Sequence, residues 1–91
     1  MKPSEYVAKG WCQGMSARTA NGDACRSDSP YACKWCIAGS IGIAYPEDIQ
    51  RRMIVSNKLY DVLGHSQISK WNDDPKRTQA EVVQLLQSIG E

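Results

Sequence analysis

PEDIQRRMIVSNKLYDVLG, residues 46–64, decides the fold class of this 91-residue chain. Pro46 has the fixed φ that suits a helix start, and Glu47 and Asp48 put negative charge in the first turn, where the helix dipole favours it. Ile49, Met53, Tyr60 and Leu63 recur at helical spacing, and Val55, Leu59 and Val62 widen that apolar face. Gly64 suits the left-handed position that closes a helix. The segment reads as the longest helix of the protein and the backbone of its core.

The chain on either side also reads as helical. A last helix opens at Thr78-Gln79-Ala80-Glu81, a capping box in which hydroxyl and carboxylate satisfy each other's backbone N–H groups. Val82, Leu85, Leu86 and Ile89 then form its apolar face. Between the two helices, Ser66 to Trp71 is read as one helical turn capped by Ser66, broken at Asn72-Asp73-Asp74-Pro75 because the residue before a proline avoids the helical region. Upstream, Ser29-Pro30 gives an N-cap and a proline at the first helical position, so a helix is expected from there to about Ala44. Tyr31, Trp35, Ala38 and Gly42 would share one of its faces, with Cys33, Cys36 and Ser40 on another. Gly39 and Gly42 each cost up to roughly 1 kcal/mol of helix propensity, which marks a close approach, read as packing. The first helix is expected from about Ser4, its N-cap, to Gly10, and Tyr6, Val7, Trp11 and Met15 would line up if it continued.

Residues 17–29 read as a loop around the turn Asn21-Gly22-Asp23. A hairpin competes, but its flanks, Ala17 to Ala20 and Ala24 to Ser27, are poor in β-branched and aromatic residues. A short two-stranded ribbon is the alternative. The fold class is therefore all-α in the main: a small three- to four-helix bundle with a turn-rich insertion between its first two helices. Residues 1–91 read as one domain.

Composition narrows the function classes. An apolar fraction of 42% with 23% charged residues is that of a folded globular protein. Eleven Lys plus Arg against ten Asp plus Glu leave a net charge of +1. Neutralising phosphates needs clustered cations, and the densest groups, Arg51-Arg52 and Lys76-Arg77, have acidic neighbours, so nucleic acid is not expected as a partner. No run approaches the ~18–20 apolar residues of a membrane span, and Met1 to Glu5 leads into no apolar stretch of signal-peptide type. The expected location is the cytoplasm, of the cell that encodes the chain or of an infected host cell.

Four cysteines, at 12, 25, 33 and 36, fall in the first half of the chain. Cys12, Cys25, Cys33 and Cys36 could close a tetrahedral zinc site, although zinc ribbons use two close pairs of ligands and only Cys33-Lys34-Trp35-Cys36 is one. A thioredoxin-like role needs the C-x-x-C after a strand in a βαβ setting, which is not read here. The cysteines are taken instead as buried free thiols that pack as small hydrophobes, with no cofactor. His65, the one histidine, reads as a residue at the end of the long helix. No nucleophile–base pattern, phosphate loop or metalloprotease motif is present, so no enzyme is expected.

With no phenylalanine, the bulky aromatic roles fall to Trp11, Trp35, Trp71 and four tyrosines. Ordinary core is the first reading of the tryptophans; large aromatics beside polar loops also stack planar ligands or anchor partners. Trp71-Asn72-Asp73-Asp74 sets an aromatic platform beside an amide and two carboxylates.

Together, Trp11-x-x-Gly14, the Asn21-Gly22 turn, Trp35-Cys36-Ile37-Ala38-Gly39-Ser40, and Trp71-Asn72-Asp73 followed by Thr78-x-x-Glu81-Val82 resemble a small bacterial and phage domain family of unknown function. Its pattern reads W-x-x-G, W-C-x-x-G-A, W-N-D and T-x-x-E-V before a leucine-rich last helix. The likeness runs from Trp11 to Ile89. Ser40 stands where the pattern prefers alanine; Cys36 matches it, and Cys12, Cys25 and Cys33 have no counterpart. The resemblance supplies no activity, but it implies a phage or prophage setting.

The leading expectation is a non-catalytic accessory protein that binds and inhibits a host protein, such as a defence component, through an exposed apolar patch centred on Trp or Tyr. An alternative is an oligomeric binder of a nucleotide-like signal, with Trp11, Trp35 and Trp71 stacking a base and Arg51, Arg52 or Lys70 holding phosphate beside Asn72 and Asp73. A second alternative is a zinc-stabilised adaptor held by the four cysteines.

Overall fold

The computed structural model describes residues 1–65 and 67–91. Helix α1 (Pro3–Lys9) leads into a small antiparallel sheet of β1 (Ala17–Arg18), β2 (Ala24–Cys25) and β3 (Lys34–Trp35), followed by α2 (Ile37–Ala44), α3 (Ile49–Leu63), α4 (Ile68–Asn72) and α5 (Gln79–Ser88). The protein is mainly helical, as expected, and the insertion between the first two helices is a sheet.

Helix α1 opens one residue earlier than Ser4. Pro3 sits in its first turn, and the Glu5 carboxylate accepts the Lys2 backbone N–H at 2.9 Å. Ser4 is no cap; it is buried, and its hydroxyl donates to the main-chain oxygen of Glu91 at 3.0 Å. The helix stops at Gly10, whose carbonyl accepts the Trp35 N–H at 3.0 Å. A Cβ on Gly10 would collide with the Cys33 carbonyl oxygen, so this close crossing requires glycine. The helical stripe from Tyr6 to Met15 therefore does not form.

The loop expected over residues 17–29 is a hairpin. Gly22 takes a positive φ of 88°, Thr19 N–H reaches the Asp23 carbonyl at 2.9 Å, and Ala17 and Arg18 pair with Cys25 and Ala24. Strand propensity, which argued against it, is overridden by non-local support. The central strand β1 is flanked by both others, Ala17 is fully buried, and the Arg18 guanidinium ties the turn by donating to the Gly22 and Gln13 carbonyls.

The helix expected from Ser29 begins at Ile37 instead. Pro30 starts only a turn, and Tyr31 lies 77% exposed. The amides of Cys33, Trp35 and Cys36 are taken by the carbonyls of Arg18, Gly10 and Ser16, at 3.0, 3.0 and 3.1 Å, which commits them to the sheet. Cys36 is the N-cap of α2, its sulfur accepting the Gly39 N–H at 3.3 Å. Gly39 is where α2 meets the loop before β1: a Cβ there would fall on the Ser16 carbonyl.

Helix α3 starts at Ile49, three residues after Pro46, because Asp48 is its N-cap, accepting the Arg51 N–H at 2.9 Å. It ends at Gly64 in the left-handed conformation, φ 74°, as its sequence requires. Its buried side is Val55 and Leu59; Ile49, Met53 and Val62, expected inside, are exposed. The expected capping role of Ser66 at α4 lies outside the described residues. In α5 the capping box forms as read, with Glu81 N–H to the Thr78 hydroxyl at 3.3 Å and Thr78 N–H to the Glu81 carboxylate at 2.9 Å.

The core joins Val7 of α1, Ile37 and Ile41 of α2, Val55 and Leu59 of α3, Ile68 of α4, and Val82 and Leu86 of α5. Each such side chain contributes roughly 1.5–3 kcal/mol on burial, so five helices share one modest core. Among the described residues no helix is long and apolar enough to cross a membrane.

Candidate functional site

The three tryptophan motifs meet at Asn72. Its Oδ1 accepts the Trp11 indole N–H at 2.9 Å and the Ile37 backbone N–H at 3.1 Å. Its Nδ2 donates to the Cys12 carbonyl at 3.2 Å and to Asp73 Oδ1 at 3.0 Å. The same Asp73 oxygen accepts the Gly14 N–H at 3.0 Å. Gln13 completes the seam, its amide nitrogen donating to the carbonyls of Asn72 and Asp74 at 2.9 and 2.8 Å. Asn72 is 1% exposed and leaves no side-chain polar atom unpaired, which is what a buried amide requires. Trp11, Asn72 and Asp73 thus come together, and they clasp α4 to the start of α2 and the loop after α1.

Beside the clasp lies a cavity of about 270 Å³ walled by Gly14, Ser16, Cys36, Ala38, Ser69 and Asp73. Cys36 faces it from the N-cap of α2. Burial pushes the Cys36 thiol up, partly offset by the Gly39 N–H that would stabilise a thiolate. Cys12, also buried, is pushed up to about 11, by burial first and then by the nearness of Cys36. Both thiols are protonated at neutral pH, which does not suit a nucleophile. All four cysteines are free, and among the described residues no three of His, Cys, Asp and Glu gather as metal ligands. His65 is exposed, its Nδ1 accepting the Gln67 N–H at 3.0 Å.

The other two tryptophans face inward. Trp35 is buried edge-on to Tyr6, with centroids 5.1 Å apart, and donates its indole N–H to the Ser27 carbonyl at 3.1 Å. Trp71 is covered by the Arg77 guanidinium, 3.8 Å from its ring centre, while Arg77 Nε holds the Trp71 carbonyl at 2.9 Å. Arg51 stacks on Tyr45 and pairs with Glu91 at 2.6 Å; Arg52 donates to the carbonyls of Tyr45 and Pro46 at 2.8 and 2.7 Å. The larger groove that Arg52 lines, about 660 Å³, runs past Met15, Cys25, Arg26 and Gly42, with no tryptophan in its wall.

Sequence reasoning missed the outer side of α3. Ile49 and Met53 are 63% and 59% exposed, and with Arg52, Ser56, Asn57 and Tyr60 they line a shallow groove of about 250 Å³. Positions 49, 53, 56 and 60 follow the i, i+4, i+7, i+11 spacing of a helix-packing seam. That periodicity was visible in the sequence, where it was assigned to the core.

A family model described as a family of unknown function (DUF6197) matches residues 5–90. No curated protein and no solved structure gives a significant match to the chain.

Proposed function

Since the chain belongs to this family of unknown function, its own residues have to supply the reading, and we propose a non-catalytic binding module that takes an apolar helix of a partner protein on the outer side of α3. The exposure of Ile49 and Met53 on one seam with Tyr60 carries this reading. Two large apolar side chains at helix-packing spacing, rimmed by Arg52 and Asn57, form the groove that an amphipathic helix fills with its own i, i+3, i+4 residues. Tyr60, packed on the core along one edge, gives the patch a rigid aromatic centre. The tryptophans support the frame and are not part of this surface. In the phage or prophage setting that the motif resemblance implies, the partner is a host protein, and inhibition follows from covering its helix.

The test is a paired capture from host lysate with the wild type, Ile49→Arg, Met53→Arg and, as a control on α5, Gln84→Arg. Both α3 variants should keep their stability to within about 0.5 kcal/mol, because the replaced side chains are exposed. A protein held by wild type and control but lost from both α3 variants supports the reading. It should then bind the purified wild type directly, and Met53→Arg at least tenfold more weakly. Equal capture by all four proteins defeats it, and a discrete dimer abolished by Met53→Arg would make a second copy the occupant.

The larger groove favours a second reading, a small polar ligand, because about 660 Å³ lies in the range of ligand sites and the wall carries Arg52 and the Arg26–Asp28 pair. A bound mass retained in native mass spectrometry would point there.

A further inference from the structure

Glu91 carries a carboxylate whose side chain is 0% exposed. Its Oε1 accepts the Tyr45 hydroxyl at 2.7 Å, and its Oε2 accepts Arg51 Nη2 at 2.6 Å and Lys58 Nζ at 3.2 Å. Arg51 and Lys58 lie two turns apart on one side of α3, and both remain partly open to solvent. The main chain of Glu91 is engaged separately: its N–H donates to the Leu86 carbonyl at 2.9 Å, and its main-chain oxygen accepts the Ser4 N–H at 3.1 Å and the Ser4 hydroxyl at 3.0 Å. One residue therefore ties α5 to α1 through its backbone and α3 to the body through its side chain.

Helix α3 needs such a tie. Only Val55 and Leu59 of its 15 residues are buried, although it is the longest helix. It is bounded on one side by the Pro46–Asp48 turn and on the other by Gly64 at φ 74°, so both of its ends are built as breaks. A weakly buried element between two breaks is where sub-global opening is expected.

We infer that Glu91 is an electrostatic latch: its carboxylate, held by Tyr45, Arg51 and Lys58, keeps α3 seated, and releasing it lets α3 lift while α1, the sheet and α5 stay folded. The α1–α5 junction survives release because it depends on the main chain of Glu91. Salt screens this latch little, because the Glu91 carboxylate is buried even though Arg51 and Lys58 are partly open. The inference stands apart from the docking reading, because it concerns how α3 is held and not what binds its outer side.

Hydrogen exchange resolved by peptide, on the full chain as wild type, Glu91→Gln, Glu91→Ala and Lys58→Met, tests the latch. In Glu91→Ala, amides of residues 49–63 should exchange about tenfold faster or more, while those of residues 3–9 and 79–88 change by less than about twofold. Glu91→Gln and Lys58→Met should give smaller accelerations confined to α3. Equal acceleration of all peptides, or an unchanged α3 in every variant, overturns the latch. If Glu91→Ala fails to fold, Glu91→Gln decides, because it removes only the charge and leaves the backbone bonds of Glu91 and the Lys58 bond to the Ile89 carbonyl, 3.4 Å, in place.

Discussion

Asn72 shows how much of this fold hangs on one short side chain. Replacing it with alanine would strand the Trp11 indole N–H, the Ile37 N–H and the Cys12 carbonyl at once, in a place where the asparagine is 1% exposed. Unpaired buried groups cost more than the bonds were worth, so Asn72→Ala should lower unfolding free energy by about 2–4 kcal/mol. Asn72→Asp should do no better: it keeps the acceptor for Trp11 and Ile37 but loses the donor to Cys12 and sets a second carboxylate beside Asp73. Urea titration of the three proteins, followed by tryptophan fluorescence, measures this. A loss below about 1 kcal/mol would mean that the clasp is incidental. Among candidate ligand-binding residues that also took in Trp35, Trp71, Arg51 and Arg52, the sequence did bring Trp11, Asn72 and Asp73 forward. It could not show that they face inward, because their partners lie 35 to 61 residues away along the chain.

At the scale of elements, legibility followed the range of the interactions. Helix α5 was readable because its capping box and apolar face lie within a dozen residues. Helix α2 was misread because Ser29-Pro30 is a sound local start signal, outcompeted by sheet bonds from Cys33, Trp35 and Cys36 to three residues upstream. On α3 two apolar sides compete, and nothing in the periodicity says which of Val55 and Leu59 or Ile49 and Met53 faces the core. The same contrast ranks two substitutions. Thr78→Ala removes a local cap and should cost about 1 kcal/mol. Gly39→Ala improves helix propensity, yet it should cost more, about 2–4 kcal/mol, because its Cβ would meet the Ser16 carbonyl group, whose carbon lies 2.8 Å away. Thermal melts of both variants check the order; a stabilised Gly39→Ala would mean that the loop before β1 yields freely.

The whole molecule is a slab, 34 × 32 × 18 Å, so few side chains sit far from water and the few buried or half-buried titratable groups weigh heavily on its pH dependence. Three of them shift in the same sense. Burial raises Cys12 to about 11 from 9.0; burial also raises Cys36; and burial, with the hydrogen bond to Glu91, raises Tyr45 above its ordinary 10.0. Each is neutral when protonated, so between the two values the unfolded chain has lost a proton that the folded chain keeps. The unfolded state is then favoured as pH rises. Stability from the thiols is therefore complete below about pH 9 and declines above it, with the Cys12 share exhausted near pH 11 and worth on the order of 2 kcal/mol. Tyr45 extends the decline above pH 10 and weakens the Glu91 latch as its hydroxyl proton is lost. Urea midpoints measured from pH 7 to 11 under reducing conditions should stay level and then fall from about pH 9 onward. In Cys12→Ala the fall should be shallower, even though the variant starts from a lower midpoint. Parallel curves for the two proteins would show that the Cys12 thiol ionises as readily in the fold as in the open chain, and that the interior beside the Asn72 clasp is wetter than its geometry implies.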